Sequence, residues 1–186
     1  MISIEQSGLK IPIKLFLAGG AAVHWWTRDR VTGDLDIDGG IQLGVKDLRI
    51  AYFDESGNSR ILYLDKNYNP MFGLMHENYQ EEAYPIGKNL GIQHIFDLRV
   101  LTPVHLAISK VSRLSLNDAE DIKNLAQKGL IQPQDFDIKA TDALRVSIGH
   151  NQLQLEHNIK KVSQIIHEQT PTILLSSSIR NQRKLS

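Results

Sequence analysis

The 186-residue chain contains no cysteine. Disulfides, thiolate metal sites and cysteine nucleophiles are therefore excluded, and the composition fits a reducing compartment. It also lacks net charge, because 21 Lys and Arg residues balance 21 Asp and Glu residues. A strongly basic nucleic-acid binder would not balance in this way, although a local basic patch is compatible with it. No apolar run approaches the roughly 20 residues that a membrane helix needs. The opening MISIEQSGLKIPIKLF has no basic start leading into a long apolar core, so no signal peptide is expected. These absences predict a cytoplasmic protein with no membrane partner. What is present is ordinary: 41% hydrophobic residues, enough to build one domain, or one domain with an appendage.

Motifs for several hydrolases are also missing. His76-Glu77 is not followed by the second histidine of H-E-x-x-H, so a zinc protease has no support. Ser177 lies in no G-x-S-x-G elbow.

Along the chain, IPIKLFLAGG (11–20) is an apolar run ending in a glycine pair and predicts a buried strand entering a tight turn. AAVHWWTRDR then reads as a helix, whose Trp25 and Trp26 fit core burial better than base stacking. Alternation resumes at DLDID, a strand signature. Residues 48–53 and 60–64 flank the turn formers of DESGNS and predict a hairpin. HENYQEEAYPIG predicts a short helix and a loop, and GIQHIFDLRVL a further strand. Thr102-Pro103 opens a helix running to about Arg113, and Asn117 or Ser115 caps the next one, which ends at Gly129. IQPQDFD reads as a linker, and one helical periodicity runs from Leu144 to Ile166. The expected architecture is α+β. A small mixed sheet with flanking helices occupies residues 1–101, a helical part residues 102–175, and a polar, basic tail residues 176–186.

The sharpest feature is RVTGDLDIDGG, with Asp34, Asp36 and Asp38 at alternate positions. A calcium loop would match D-x-D-x-D-G through Gly39, but its twelfth position is Val45, which cannot coordinate. The strand reading remains. Carboxylates two apart on a strand point the same way, roughly 6.5–7 Å apart, and can share or bracket divalent ions. Magnesium takes oxygen ligands and keeps positions for phosphate, and two such ions can clamp the attacking and leaving oxygens of a phosphoryl transfer. The upstream Gly19-Gly20 lets backbone approach a phosphate with no Cβ in the way.

LAGGAAVHWW followed by RVTGDLDID resembles the signature of the DNA polymerase β-like nucleotidyltransferase superfamily. The resemblance is closest to its small bacterial branch with AbiEii-type toxins and MNT-type antitoxins, where an R-x-T-x-D-[IL]-D run is typical. LTPVHLAISKVSRLSLNDAEDIKNLAQKGLI is similar to that branch's Lys- and Arg-bearing helix followed by an acidic D-x-x-D turn. The resemblance spans about residues 11–131. It implies a nucleotidyltransferase-like core in which Gly19 and Gly20 contact a nucleoside triphosphate through backbone amides. Arg30 and Thr32 of the R-x-T-x-D run join the nucleotide-binding set. Asp34 and Asp36 would hold two magnesium ions. Lys110 would approach phosphate or acceptor, Arg113 would do so one turn later, and Asp118 and Asp121 would be the downstream acidic pair. Active members use a third carboxylate from a later strand; Asp65 is the first choice here and Asp97 the second. The implied activity moves an NMP to a hydroxyl on tRNA, protein or a small molecule, with a cognate toxin or antitoxin as possible partner. The alternative is a fold that has lost turnover and serves as a binding partner.

Overall fold

A computed structural model describes residues 13–30, 32–39, 49–53, 56–65, 73–88, 96–148 and 151–171. The 176–186 tail of the sequence reading lies outside them. The chain divides into two compact units. The first comprises Met1–Asn69 and Asn78–Thr102, the second Pro70–Glu77 and Pro103–Ser186.

The first unit is a six-stranded mixed sheet with a helix. It runs β1 (Ile13–Leu17), α1 (Gly19–Thr27), β2 (Asp34–Asp38), β3 (Arg49–Phe53), β4 (Ser59–Asp65), β5 (Tyr84–Pro85) and β6 (Phe96–Val100). The strand order is β3-β4-β2-β1-β6-β5. Apolar β1 takes a central place, antiparallel to β2 and parallel to β6. β2 in turn pairs in parallel with β4, which forms the expected hairpin with β3. Phe16, Leu17, Ala22, Val23, Ile86 and Val100 are buried. Trp26 of α1 donates from Nε1 to the Leu101 carbonyl at 2.8 Å and meets the Tyr84 ring edge-on at 5.8 Å, a packing role. Residues 77–81, expected to be helical, form turns instead. Tyr79 is held there by its ring contact with Phe16, 6.3 Å between centroids, and by its hydroxyl on Asp38.

The second unit is helical: α2 (Pro103–Lys110), α3 (Leu116–Gln127), α4 (Pro133–Val146) and α5 (Gln152–Gln169). α5 packs on α3 and α4 around Ile122, Leu125, Phe136, Ala140, Val162 and Ile166, all buried. Two expectations are corrected. The IQPQDFD linker is the start of α4, with Pro133 in the first turn, where its missing N–H costs nothing. The single long helix is two, because Asn151 caps α5 by accepting from the Gln154 N–H at 3.2 Å. Among the described residues no helix is long and apolar enough to cross a membrane.

Of the two proposed caps for α3, Ser115 acts. Its hydroxyl accepts from the Asp118 N–H at 3.2 Å, while Asp118 accepts from the Ser115 N–H at 3.0 Å. Ser115→Ala should therefore lower the stability of this unit by about 1–2 kcal/mol, read by urea unfolding followed by circular dichroism.

Candidate carboxylate site on the sheet

β1 delivers the chain to the turn before α1, and the Ala18 N–H donates to the Asp36 carbonyl at 2.9 Å, tying that turn to β2. Gly19 adopts φ 57°, the left-handed region that glycine enters without a Cβ penalty. A Cβ there would lie 1.6 Å from Asp36 Oδ2, so the carboxylate rests directly against the glycine backbone. A Cβ on Gly20 would lie 3.0 Å from Thr32 Oγ1 and 3.6 Å from Arg30 Nε. Thr32 in turn spans the bend into β2, its hydroxyl donating to the Asp34 carbonyl at 3.2 Å. His24, on α1, places Nδ1 2.6 Å from the Arg30 carbonyl, which can only accept, so this nitrogen carries the proton. Gly19, Gly20, Arg30, Thr32 and Asp36 thus meet at one turn.

Gly19→Ala should expel the Asp36 carboxylate and strain the backbone as well. The expected result is a stability loss on the order of 1–3 kcal/mol, read by thermal unfolding. Gly20→Ala, whose added methyl needs only a small shift of Thr32, should cost less.

Asp34 and Asp36 share a face of β2 by the period of two. The parallel register of β2 with β4 sets Asp34 abreast of Tyr63 and Asp36 abreast of Asp65. Residues abreast on paired strands point to the same face, and the strands lie roughly 4.8 Å apart. Asp34, Asp36 and Asp65 therefore lie on one face of the sheet. Asp34 is exposed and the other two half-buried.

The other aspartates are engaged elsewhere. Asp38 accepts from the Tyr79 hydroxyl at 2.7 Å and from Gln80 at 3.1 Å. Burial, followed by the hydrogen bond to Asp38 and its charge, holds the Tyr79 phenol well above its ordinary value. Asp97 sits abreast of Lys14 on the far side of β1 from β2, with Arg99 Nε 3.2 Å from both its oxygens.

In the second unit, the four charged residues singled out by sequence come together and pair with one another. Lys110 Nζ lies 3.0 Å from Asp118 and 2.9 Å from Asp121. Arg113 grips Asp118 with two bonds of 2.8 Å from the solvent side. Burial pushes the Asp118 carboxyl up, but hydrogen bonds from Arg113 and Ser115 and the charge of Lys110 outweigh it and hold the group well below the usual range. A buried ammonium between two carboxylates, joining the end of α2 to α3, is the arrangement that buried charge requires.

Sequence reading did not pair His76 with His105. Both are buried in the second unit with ring centroids 5.5 Å apart. Imidazoles are ligand types that could hold a metal ion, and these two are distant in sequence with no motif linking them.

Compared with known protein families, curated proteins and solved structures, the chain gives no match. The fold is a mixed α+β sheet with flanking helices and a helical C-terminal part.

Proposed function

We propose that the protein is a magnesium-dependent nucleotidyltransferase that moves an NMP from a nucleoside triphosphate to a hydroxyl acceptor. The observation that carries this reading is the register that sets Asp65 abreast of Asp36, beside Asp34, on one sheet face. A third carboxylate on the neighbouring strand is what the transferase reading requires and what a binding-only protein does not. Asp34, Asp36 and Asp65 are hard oxygen donors of the kind magnesium prefers, and they would hold it. When bound, magnesium supplies positive charge against the triphosphate.

The remaining work falls to the chain. The Gly19-Gly20 turn, where the missing Cβ lets Asp36 pack against the backbone, would offer backbone N–H groups to the triphosphate, with Arg30 and Thr32 beside it. The acceptor oxygen forms a bond to the α-phosphorus as the bond to the β-phosphate oxygen breaks, and pyrophosphate leaves in line. Asp65 would help to take the acceptor's proton. Positioning and charge complementarity account for most of the rate. The engagement of Lys110 by Asp118 and Asp121 supports a structural role for that network rather than phosphate contact.

On this reading the acceptor hydroxyl belongs to a tRNA, a protein or a small molecule, and the setting is a toxin–antitoxin or defence system in which a cognate protein is a further partner. The test is transfer of label from each α-labelled nucleoside triphosphate to bulk tRNA and to whole-cell protein. Labelled acceptor with wild type and none with Asp34→Ala/Asp36→Ala supports the reading. Nucleotide binding without transfer to either acceptor would replace it with the alternative of a protein that has kept the fold as a binding partner.

A further inference from the structure

The β3–β4 ribbon carries an apolar, aromatic face that lies open. The antiparallel register sets Arg49 abreast of Tyr63, Ala51 abreast of Ile61 and Phe53 abreast of Ser59, so all six side chains share one face. Phe53 is 76% exposed, Ile61 46% and Tyr63 42%. The Arg49 guanidinium lies over the Tyr63 ring, 5.6 Å from its centre. Edge strands normally carry charge that discourages pairing. Here the edge strand β3 ends on an exposed Phe53 instead.

This face is continuous with the carboxylates. Tyr63 is abreast of Asp34, and Asp65, two residues on, is abreast of Asp36. The glycine turn lies on the opposite flank, at the end of β1, against Asp36, with Arg30 and Thr32. In-line transfer sets the leaving pyrophosphate and the attacking hydroxyl on opposite sides of the phosphorus. With the triphosphate on the glycine turn, the acceptor enters across β4.

We propose that this ribbon is the acceptor subsite, and that it takes an unpaired nucleobase-bearing end stacked against the Tyr63 ring and the Arg49 guanidinium that caps it, with Ile61 and Phe53 carrying the adjoining bases. The inference rests on the transferase reading for the direction of approach. Its chemistry rests on the ribbon itself. A guanidinium lying over an aromatic ring offers a flat cationic surface for any base to stack on and positive charge to the adjoining phosphate, which is how single strands are held without sequence readout. A base-paired duplex hides its ring faces and gains nothing from such a surface.

The experiment measures fluorescence anisotropy of the full chain with a labelled eight-nucleotide single-stranded RNA, its DNA counterpart and the RNA paired to its complement. Binding of a non-hydrolysable nucleoside triphosphate with magnesium is measured in parallel. The expected result is binding of single-stranded RNA in preference to duplex, weakened roughly 10- to 100-fold by Tyr63→Ala and by Arg49→Ala and retained by Tyr63→Phe. The nucleotide affinity of these variants should stay within about twofold of wild type, since Tyr63 and Arg49 lie away from the glycine turn. Equal binding of RNA and DNA would show stacking alone, and a preference for RNA a further contact to the 2′-hydroxyl; both keep the proposal. Single-strand binding that Tyr63→Ala leaves unchanged overturns it, even where nucleotide still binds and the transferase reading stands. Loss of a concentration-dependent dimer in Tyr63→Ala, with no RNA bound by wild type, overturns it in favour of an interface between copies. A Tyr63-dependent single-strand site in a protein that binds no nucleotide leaves the ribbon as assigned and sinks the transferase reading instead.

Discussion

Lys110→Ala should destabilise the second unit by about 3–5 kcal/mol at neutral pH. Lys110 is 7% exposed, and its partners Asp118 and Asp121 are 1% and 3% exposed at their side chains. Removing the ammonium takes the shared cation away from two buried carboxylates, while Arg113 still meets Asp118 from the solvent side. Lys110→Met, which keeps most of the aliphatic stem, should lose nearly as much, because charge and not packing is at stake. The loss has a pH signature. The Asp118 carboxyl is held below its ordinary value in the folded protein. Its contribution is complete above the unfolded value, near pH 4, and is lost as pH falls through the folded value. The gap between wild type and Lys110→Ala should accordingly be widest near pH 7 and narrow below about pH 4. Urea unfolding followed by circular dichroism reads it, since α2 to α5 supply most of the helix. Both tryptophans lie in α1 of the first unit, so tryptophan fluorescence should report that unit with its midpoint little changed. A loss below about 1 kcal/mol would mean that the three groups are solvated and the network is ornamental.

The second large effect concerns the sheet face. Asp36→Asn and Asp65→Asn should each lower NMP transfer on the order of a thousandfold or more, since charge stabilisation by a bound divalent ion is worth several kcal/mol. Adding magnesium should raise the melting temperature of wild type, because the ion binds the folded state, and leave the variants unmoved. Asp97→Asn, on the far side of β1 and paired with Arg99, should match wild type in both measurements.

Much of this was legible in local signals. The glycine pair, the alternating aspartates and the turn formers of the hairpin each encode a backbone shape within a few residues, and β1, α1, β2, β3 and β4 follow from them. The choice between Asp65 and Asp97 was not local. It depends on which strand lies next to β2, and strand order is set by packing that no short window contains. The pairing of Lys110 with Asp118 and Asp121 was half legible: the spacing showed a shared helix face, but not that the faces meet each other. Pro133 misled because the same residue ends one helix or begins another, and the periodicity running through Ile148 concealed the break before Asn151. His76 and His105 left no trace in the sequence, because two isolated histidines carry no spacing.

On the proposed reading, Asp34, Asp36 and Asp65 make one divalent-ion site on the sheet. Titration with manganese, a spectroscopically visible substitute for magnesium, tests it most directly when free ion is counted by electron paramagnetic resonance with a triphosphate analogue present. The expected result is saturable binding by wild type, loss in both Asp36→Asn and Asp65→Asn, and retention in Asp97→Asn. Equal binding by wild type, Asp36→Asn and Asp65→Asn would contradict it.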